Sequence, residues 1–122
     1  MDYIDLYLVH DPRSGRDTRL STYRALVEAR DAGKVRSIGV SNFGVRHLEE
    51  LVQAGLELPT VNQVEAHPFC QQREIATWCK ARGIIIQAYC PVMRMEAGKI
   101  DHPVLVRVAD KACTLCVPRS FN

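Results

Sequence analysis

Polar side chains that could bind a ligand or move a proton follow the ends of four short apolar runs. They are His10, the pair Ser41-Asn42, Gln63 with Glu65 and His67, and the pair Tyr89-Cys90. A neutral imidazole can hydrogen-bond a carbonyl oxygen, and a pKa near neutrality makes both of its protonation states accessible. A side-chain amide donates and accepts, so it can recognise a second amide. Simpler roles compete: His10 could bond only to loop backbone, and Ser41 and Asn42 could only cap a helix.

The apolar runs have the composition of buried strands. They are short and rich in Val, Ile and Leu, and turn residues bound most of them, as is typical of strands covered on both faces. The four predicted strands are Tyr3–Val9, Ser37–Val40, Val61–Val64 and Ile84–Ala88. Gln63 stands out because a polar amide inside such a strand needs a hydrogen-bond partner.

Amphipathic stretches between the runs predict helices. The first extends from about Thr18 to Ala32, the second ends at Gly55, the third ends before Gly83, and the fourth begins with Pro103. The first helix is predicted to bury Leu20, Tyr23, Leu26 and Val27, and the second to bury Val45, Leu48, Leu51 and Val52. The third is predicted to bury Ile75, Trp78 and Cys79, and the fourth Val104, Leu105, Val108 and Ala112. His47 lies among polar residues of the second helix, and we expect it to face solvent.

Strands that alternate with helices at this spacing predict an α/β fold with a parallel sheet. The polar residues all follow carboxyl ends of strands, as they do at the active-site rim of a (β/α)8 barrel or in the crevice of an open α/β sheet. No Gly-x-Gly-x-x-Gly or Walker-type loop follows any strand, which argues against the common nucleotide-binding open sheets. The barrel is therefore the preferred prediction.

Four segments at these strand ends resemble the aldo-keto reductase family. They read Asp2-Tyr3-Ile4-Asp5-Leu6-Tyr7-Leu8-Val9-His10, Gly39-Val40-Ser41-Asn42-Phe43, Asn62-Gln63-Val64-Glu65-Ala66-His67-Pro68 and Ala88-Tyr89-Cys90-Pro91. The resemblance runs from about residue 2 to residue 111 in matching order. It implies strands four to seven of a (β/α)8 TIM barrel, so that residues 1–122 form a single incomplete barrel domain, the C-terminal half. The tail Val117-Pro118-Arg119-Ser120 resembles the eighth strand of the family.

The family resemblance implies NADPH-dependent reduction of aldehydes or ketones to alcohols, with NADH as a second option. Ser41, Asn42 and Gln63 would bind the nicotinamide carboxamide, and Tyr89 would stack on the ring. Glu65 would accept hydrogen bonds in the same network, and His10 would orient the substrate carbonyl. Cys90 and Val92 would lie near the pyrophosphate. In the tail, Arg119 would meet the adenosine 2′-phosphate and Ser120 would add a hydroxyl contact.

The sequence also departs from the family pattern. The Tyr, Lys and Asp that supply the substrate proton in the family lie upstream of the segment at which this chain begins, and only the family His maps here, onto His10. Tyr3, Tyr7 and Tyr23 are interpreted as packing or rim residues. We therefore expect the chain to be a fragment that is inactive alone. Two alternatives remain: a non-catalytic interaction subunit, and a truncated product without function whose open strand edges could self-associate.

Composition and charge argue against several classes of binding partner. Sixteen basic and fourteen acidic residues give a net charge of +2, too little to favour nucleic acid or an anionic membrane. No apolar run approaches the roughly 20 residues of a membrane-spanning helix. Five cysteines form no disulfide framework, which favours reduced thiols in the cytoplasm. Cys113 and Cys116 have C-x-x-C spacing but lack a second pair, so we expect no metal site. A small carbonyl compound as the substrate is what the family resemblance implies.

Overall fold

Four strands alternate with helices along the chain, as the hydrophobic pattern predicts. The computed structural model describes residues 2–112, which divide between two units, Met1–Tyr89 and Cys90–Asn122. The first unit contains β1 (Ile4–Val9), α1 (Arg16–Asp31), β2 (Val35–Ser41), α2 (Val45–Gln53), β3 (Val61–Glu65), α3 (Arg73–Lys80) and β4 (Ile85–Tyr89). The second contains a 3₁₀ turn (Met93–Met95) and α4 (Pro103–Lys111). Whether residues 1–122 act as one domain stays a prediction.

The strands form one parallel sheet in the order β1-β2-β3-β4. Leu8 lies opposite Gly39, Ser41 opposite Gln63, and Glu65 opposite Tyr89. Because all four strands run in the same direction, their carboxyl ends lie at one edge of the sheet. The predicted α/β class with a parallel sheet is confirmed, and the predicted strand ends agree with the observed ones to within two residues.

The hydrophobic core lies between one face of the sheet and the helices of the first unit. Its buried members are Leu20 and Tyr23 of α1, Val35, Ile38 and Val40 of β2, Phe43, Leu48 and Leu51 around α2, Cys79 of α3, and Ile84. A fully buried Leu or Ile contributes about 1.5–3 kcal/mol relative to an exposed one. Within residues 2–112, none of the helices is long and apolar enough to cross a membrane.

Two predicted helix faces are partly wrong. Val52 of α2 is 51% exposed, and on α4 both Val104 and Val108 are exposed while Ala109 is buried. On α4 the buried face is rotated by one residue from the predicted one. Apolar side chains occupy both candidate faces of this helix, so the hydropathy pattern does not choose between them.

The edge strands are more exposed than the sequence predicts. β2 has a hydrogen-bonded strand on each side and is mostly buried, whereas within residues 2–112 β1 and β4 each pair with a single strand. Tyr7 of β1 is 49% exposed and Ile85 of β4 is 63% exposed. The prediction that all strands are covered on both faces is therefore wrong for β1 and β4, because burial depends on neighbours that the strand composition does not specify.

One buried ion pair joins the first two helices. Arg19 of α1 is 9% exposed, and its Nε and Nη2 donate to the carboxylate oxygens of Glu50 on α2 at 2.7–3.0 Å. Its Nη1 also donates to the carbonyls of Pro12, at 2.8 Å, and Ser14. Arg19 thus fixes α1 to α2 and to the segment between β1 and α1.

His47 supports the start of α2 and is half-buried, so the expectation that it faces solvent is wrong. Its Nδ1 accepts the Gly44 backbone N–H at 3.1 Å, and its ring meets the ring of Phe43 edge-on with centroids 5.7 Å apart. An N–H at the helix start has no partner within the helix, so an acceptor there stabilises α2. Burial lowers the pKa of His47 from its ordinary 6.5, and the charges of Arg19 and Arg46 act in the same direction.

The lowered pKa of His47 predicts that acid destabilises the fold. The unfolded chain binds the His47 proton more tightly than the folded chain, so the contribution is complete above pH 6.5 and is lost as the pH falls from there through the folded pKa. Urea midpoints measured between about pH 7.5 and pH 5 check this, since the window brackets the ordinary pKa of histidine. His47→Gln keeps an acceptor near Gly44 without titrating there. Its midpoint should fall less over the same interval, and an equal fall would contradict the assignment.

Candidate functional site

The polar residues singled out in the sequence lie at the carboxyl edge of the sheet. His10 follows β1, Ser41 ends β2 with Asn42 directly after it, and Tyr89 ends β4. Gln63 lies inside β3, where it pairs with Ser41 in the strand register. The parallel order of the strands therefore gathers residues that are far apart in the sequence.

Asn42 is hydrogen-bonded to residues that lie in or directly after all four strands. Its Oδ1 accepts the Tyr89 hydroxyl at 2.9 Å, and its Nδ2 donates to Ser41 Oγ at 3.1 Å and to the His10 carbonyl at 3.3 Å. Its backbone N–H donates to the Gln63 carbonyl at 2.9 Å, and Ser41 Oγ donates to that same carbonyl at 2.9 Å. The result is a cluster of neutral amide and hydroxyl groups. Among residues 2–112, Asn42 Oδ1 uses one of its two lone pairs.

The backbone at Asn42 adopts an uncommon conformation. Its φ is +62°, in the left-handed region that Asn tolerates better than most residues because its short amide can bond locally. This turn directs the chain out of β2 and into α2, which begins at Val45. Few residue types other than Gly and Asn tolerate this φ, so the turn limits which residues can occupy position 42.

Gln63 contributes to the cluster through its backbone carbonyl rather than through its side chain. Its Nε2 donates to Gln87 Oε1 at 3.0 Å across the β3–β4 pair. Gln87 was not singled out from the sequence. The signal was present, since Gln87 is a polar amide two residues before Tyr89 in an otherwise apolar run, and side chains two apart on a strand share a face.

The His10 imidazole is exposed. Among the residues that the structure describes, it forms no hydrogen bond, and the His10 carbonyl provides the contact with Asn42. The alternative in which the His10 ring serves to bond loop backbone therefore has no support in residues 2–112. The role of the ring toward a substrate stays a prediction.

Glu65 belongs to a different network from the one expected. Its carboxylate oxygen lies 3.2 Å from His67 Nε2, and His67 Nδ1 accepts the Phe69 N–H at 3.2 Å. These bonds give His67 a structural role in the loop after β3. Within the described residues, the carboxylate of Glu65 contacts this loop rather than Gln63 or Asn42.

The remaining candidates lie in the second unit or outside the described residues. Cys90 has a φ of +50° and its carbonyl accepts the Met93 N–H at 2.9 Å, while Val92 is 44% exposed. Arg119 and Ser120 lie outside the described residues, as do Cys113 and Cys116. Across residues 2–112, no three His, Cys, Asp or Glu side chains are grouped in a way that could hold a metal ion.

The other tyrosines have separate surroundings. Tyr23 is fully buried in the core, and burial raises the pKa of its hydroxyl above the ordinary value. Tyr3 lies under the Arg36 guanidinium, whose central carbon is 3.9 Å from the ring centroid. Tyr7 is on the edge strand β1. These positions agree with the interpretation of Tyr3, Tyr7 and Tyr23 as packing or rim residues.

Residues 1–99 match the sequence model of the Aldo/keto reductase family. The chain belongs to this family. The glyoxal reductase of Bacillus subtilis (strain 168) is 46% identical over 111 residues, which cover 91% of this chain and 39% of that protein. A crystal structure of an aldo/keto reductase from Brucella melitensis superposes with a TM-score of 0.86 at 35% identity, over 94% of this chain and 43% of that one.

A third similar protein carries a nicotinamide cofactor. The aldo-keto reductase AKR2E4 of Bombyx mori, in complex with NADP, superposes with a TM-score of 0.82 at 34% identity, over 95% of this chain and 43% of that one. This aldo/keto reductase chain thus spans about two fifths of the length of such relatives (39–43%). The family resemblance read from the sequence and the predicted partial (β/α)8 barrel are both confirmed.

Proposed function

We propose that this chain provides the nicotinamide-binding side of an NADPH-dependent reductase that converts small aldehydes or ketones into alcohols. The observation that carries the proposal is the Asn42 cluster, in which one residue is hydrogen-bonded through its side chain to His10, Ser41 and Tyr89 and through its backbone N–H to Gln63, so that it contacts residues in or directly after all four parallel strands. NADP in the Bombyx mori relative supports the cofactor class, and the name of the Bacillus subtilis relative supports a small carbonyl substrate.

The residues of the cluster fit a carboxamide. A nicotinamide carboxamide presents one carbonyl acceptor and an NH₂ donor. Asn42 Oδ1 and Ser41 Oγ each accept one hydrogen bond within residues 2–112, so each keeps a lone pair that could accept from the NH₂ group. Both hydrogens of Asn42 Nδ2 and the hydroxyl hydrogen of Ser41 are already donated there, so the donor to the carboxamide carbonyl would be the second hydrogen of Gln63 Nε2, whose first is donated to Gln87. In the part of the chain that the structure describes, no charged side chain takes part in the hydrogen bonds of Asn42, which suits a neutral amide. When bound, the cofactor would supply the hydride, while these residues would hold the ring and fix its orientation.

Tyr89 has two tasks in this proposal. Its hydroxyl donates to Asn42 Oδ1 and so fixes which way the Asn42 amide points. The ring offers an aromatic surface against which a nicotinamide can stack.

The exposed imidazole of His10 would hydrogen-bond the substrate carbonyl, because it has no competing bond within residues 2–112.

The proton donor is assigned to none of these residues. A positioned general acid typically accelerates a proton transfer by 10²–10⁴-fold, and the family places that role on a Tyr supported by Lys and Asp. None of the four matching segments contains that set. Inactivity of the chain alone therefore stays a prediction.

A titration followed by NMR tests the nicotinamide site. In the ¹⁵N-labelled chain, NADPH and nicotinamide mononucleotide should shift the side-chain amide signals of Asn42 and Gln63 and the backbone signals of Ser41 and Tyr89, with weak affinity. Asn42→Gly tolerates the left-handed φ and removes the amide, and the loss of the Asn42 Oδ1 acceptor should weaken binding roughly tenfold. The control Gln53→Ala, at the exposed end of α2, should bind as the wild type does.

Two results would contradict the nicotinamide site. One is saturation of the chain with NADPH while the signals of Asn42, Gln63 and Tyr89 stay in place. The other is equal affinity of Asn42→Gly and the wild type. Adenosine 2′,5′-bisphosphate serves as the ligand control, since it lacks the nicotinamide and should leave the Asn42 side-chain signals unmoved.

A further inference from the structure

Asn62 is a fully buried amide that faces away from the proposed site. It lies in β3 opposite Val40 and Ile86, both apolar, and its exposed fraction is 0%. Burying an amide in apolar surroundings costs free energy unless hydrogen bonds replace those with water. A polar residue in this row of the sheet therefore needs a structural reason.

The reason lies in the backbone of Phe43. Asn62 Nδ2 donates to the Phe43 carbonyl at 2.8 Å, and Asn62 Oδ1 accepts the Phe43 N–H at 3.4 Å. The side chain of Asn62 thus makes the pair of bonds that a neighbouring strand would make. It extends the contact between β2 and β3 beyond Ser41, where the strand pairing ends.

Asn62 and its neighbour Gln63 form hydrogen bonds with two consecutive residues of the turn after β2. The Gln63 carbonyl accepts the Asn42 N–H at 2.9 Å, and Asn62 binds both backbone groups of the next residue, Phe43. Asn42 stands in the left-handed region with φ of +62°. A residue in such a conformation persists only when the surrounding structure holds it there.

We propose that Asn62 is a positioning residue for the nicotinamide site: by binding the Phe43 backbone, it holds Asn42 left-handed with its amide at the carboxyl edge of the sheet. This proposal rests on the proposed function, because a positioning role for Asn62 has meaning only if nicotinamide binds beside Asn42. The geometry that it requires can be measured without any cofactor. Asn62 acts through Phe43 and Asn42 and contacts no ligand itself.

The test compares Asn62→Leu with a variant that disturbs the same strand elsewhere. Asn62→Leu keeps the branched shape of the side chain and removes both bonds to Phe43, together with the hydrogen bond between Asn62 and the Cys79 thiol. The control is Val64→Ala, because Val64 is on the same strand and face and is 1% exposed, so its truncation leaves a core cavity but keeps both hydrogen bonds between Asn62 and Phe43. Asn62→Val also lacks both polar atoms and suits a strand, and it serves if Asn62→Leu does not fold.

Two readouts are taken without ligand and one with nicotinamide mononucleotide. In Asn62→Leu, hydrogen exchange at the Phe43 amide should accelerate roughly tenfold, which corresponds to the loss of a hydrogen bond, and the side-chain signals of Asn42 should move. Affinity for nicotinamide mononucleotide should fall by a similar factor. Val64→Ala should leave the Asn42 signals in place, because a general loss of core packing does not act on the turn.

The proposal fails if Asn62→Leu, or Asn62→Val in its place, leaves the Asn42 signals unchanged, or if Val64→Ala moves them equally. A wild-type chain that binds no nicotinamide mononucleotide would defeat the proposed function, and the role of Asn62 with it. Binding by the wild type together with unchanged affinity of Asn62→Leu would defeat the role of Asn62 alone.

Discussion

Replacing Arg19 with methionine should lower the free energy of unfolding of this chain by about 3–5 kcal/mol, the usual cost of removing one partner of a buried ion pair. Methionine fills much of the space of the arginine stem, so the loss measures the guanidinium. Its removal would leave the Glu50 carboxylate, whose side chain is 18% exposed, without its partner. The carbonyls of Pro12 and Ser14 would lose the same donor. Equilibrium unfolding in urea measures the change.

Two further variants separate the buried pair from charge in general. Arg36→Met removes an arginine whose side chain is 63% exposed and whose partner Asp5 is 78% exposed, so solvent screens the pair and little stability should be lost. In the double variant Arg19→Met with Glu50→Met no carboxylate is left unpaired, and most of the lost stability should return. A double variant less stable than Arg19→Met would disprove this account.

Gly39→Ser should destabilise the sheet by roughly 3 kcal/mol, the upper end of the ordinary cost of overpacking a core. A Cβ at Gly39 would lie 2.5 Å from Leu8 Cδ2 and 2.7 Å from the Val61 carbonyl oxygen. The Leu8 side chain can rotate away, but the carbonyl is part of the β3 backbone. The strain would fall between β1, β2 and β3, two residues before Ser41.

The matched control is Gly15→Ser, the same substitution at the start of α1. Nothing lies within 4 Å of the Cβ position there, and Ser is a good residue before a helix. Its unfolding midpoint in urea should equal or exceed that of the wild type. Adding Leu8→Ala to Gly39→Ser should not restore stability, because the contact with the Val61 carbonyl remains. Full restoration would show that Leu8 alone limits the space.

The predicted effects on stability and on binding arise in the same part of the molecule. Gly39 allows β2 to approach β1 and β3 closely, and Asn62 extends the contact of β3 with the segment after β2. Asn42 then stands within hydrogen-bond distance of groups from the other three strands. A site made from four strand ends is precise because each end is fixed by the sheet, and loops alone would fix it less well.

The alternation of strands and helices could be predicted from the sequence because it depends on local patterns. Short apolar runs, amphipathic stretches and glycines after the helices located all four strands and the main helices, and the family motifs located the site residues at the strand ends. A parallel sheet followed from the helical connections, and it predicted that His10, Ser41, Asn42 and Tyr89 would lie at one edge. These inferences need only the period of the pattern and the direction of the strands.

Only the tertiary structure decided which atoms meet at that edge. The sequence does not show that the Tyr89 hydroxyl donates to Asn42 or that the Gln63 side chain donates to Gln87. Nor does it show that the Glu65 carboxylate contacts His67 or that the Asn62 side chain bonds to the Phe43 backbone. Each contact joins separate elements, so it depends on register and side-chain direction rather than on local composition. The same reason applies to Arg19 and Glu50: a charged residue on a helix surface is ordinary until packing removes it from water and supplies its partner.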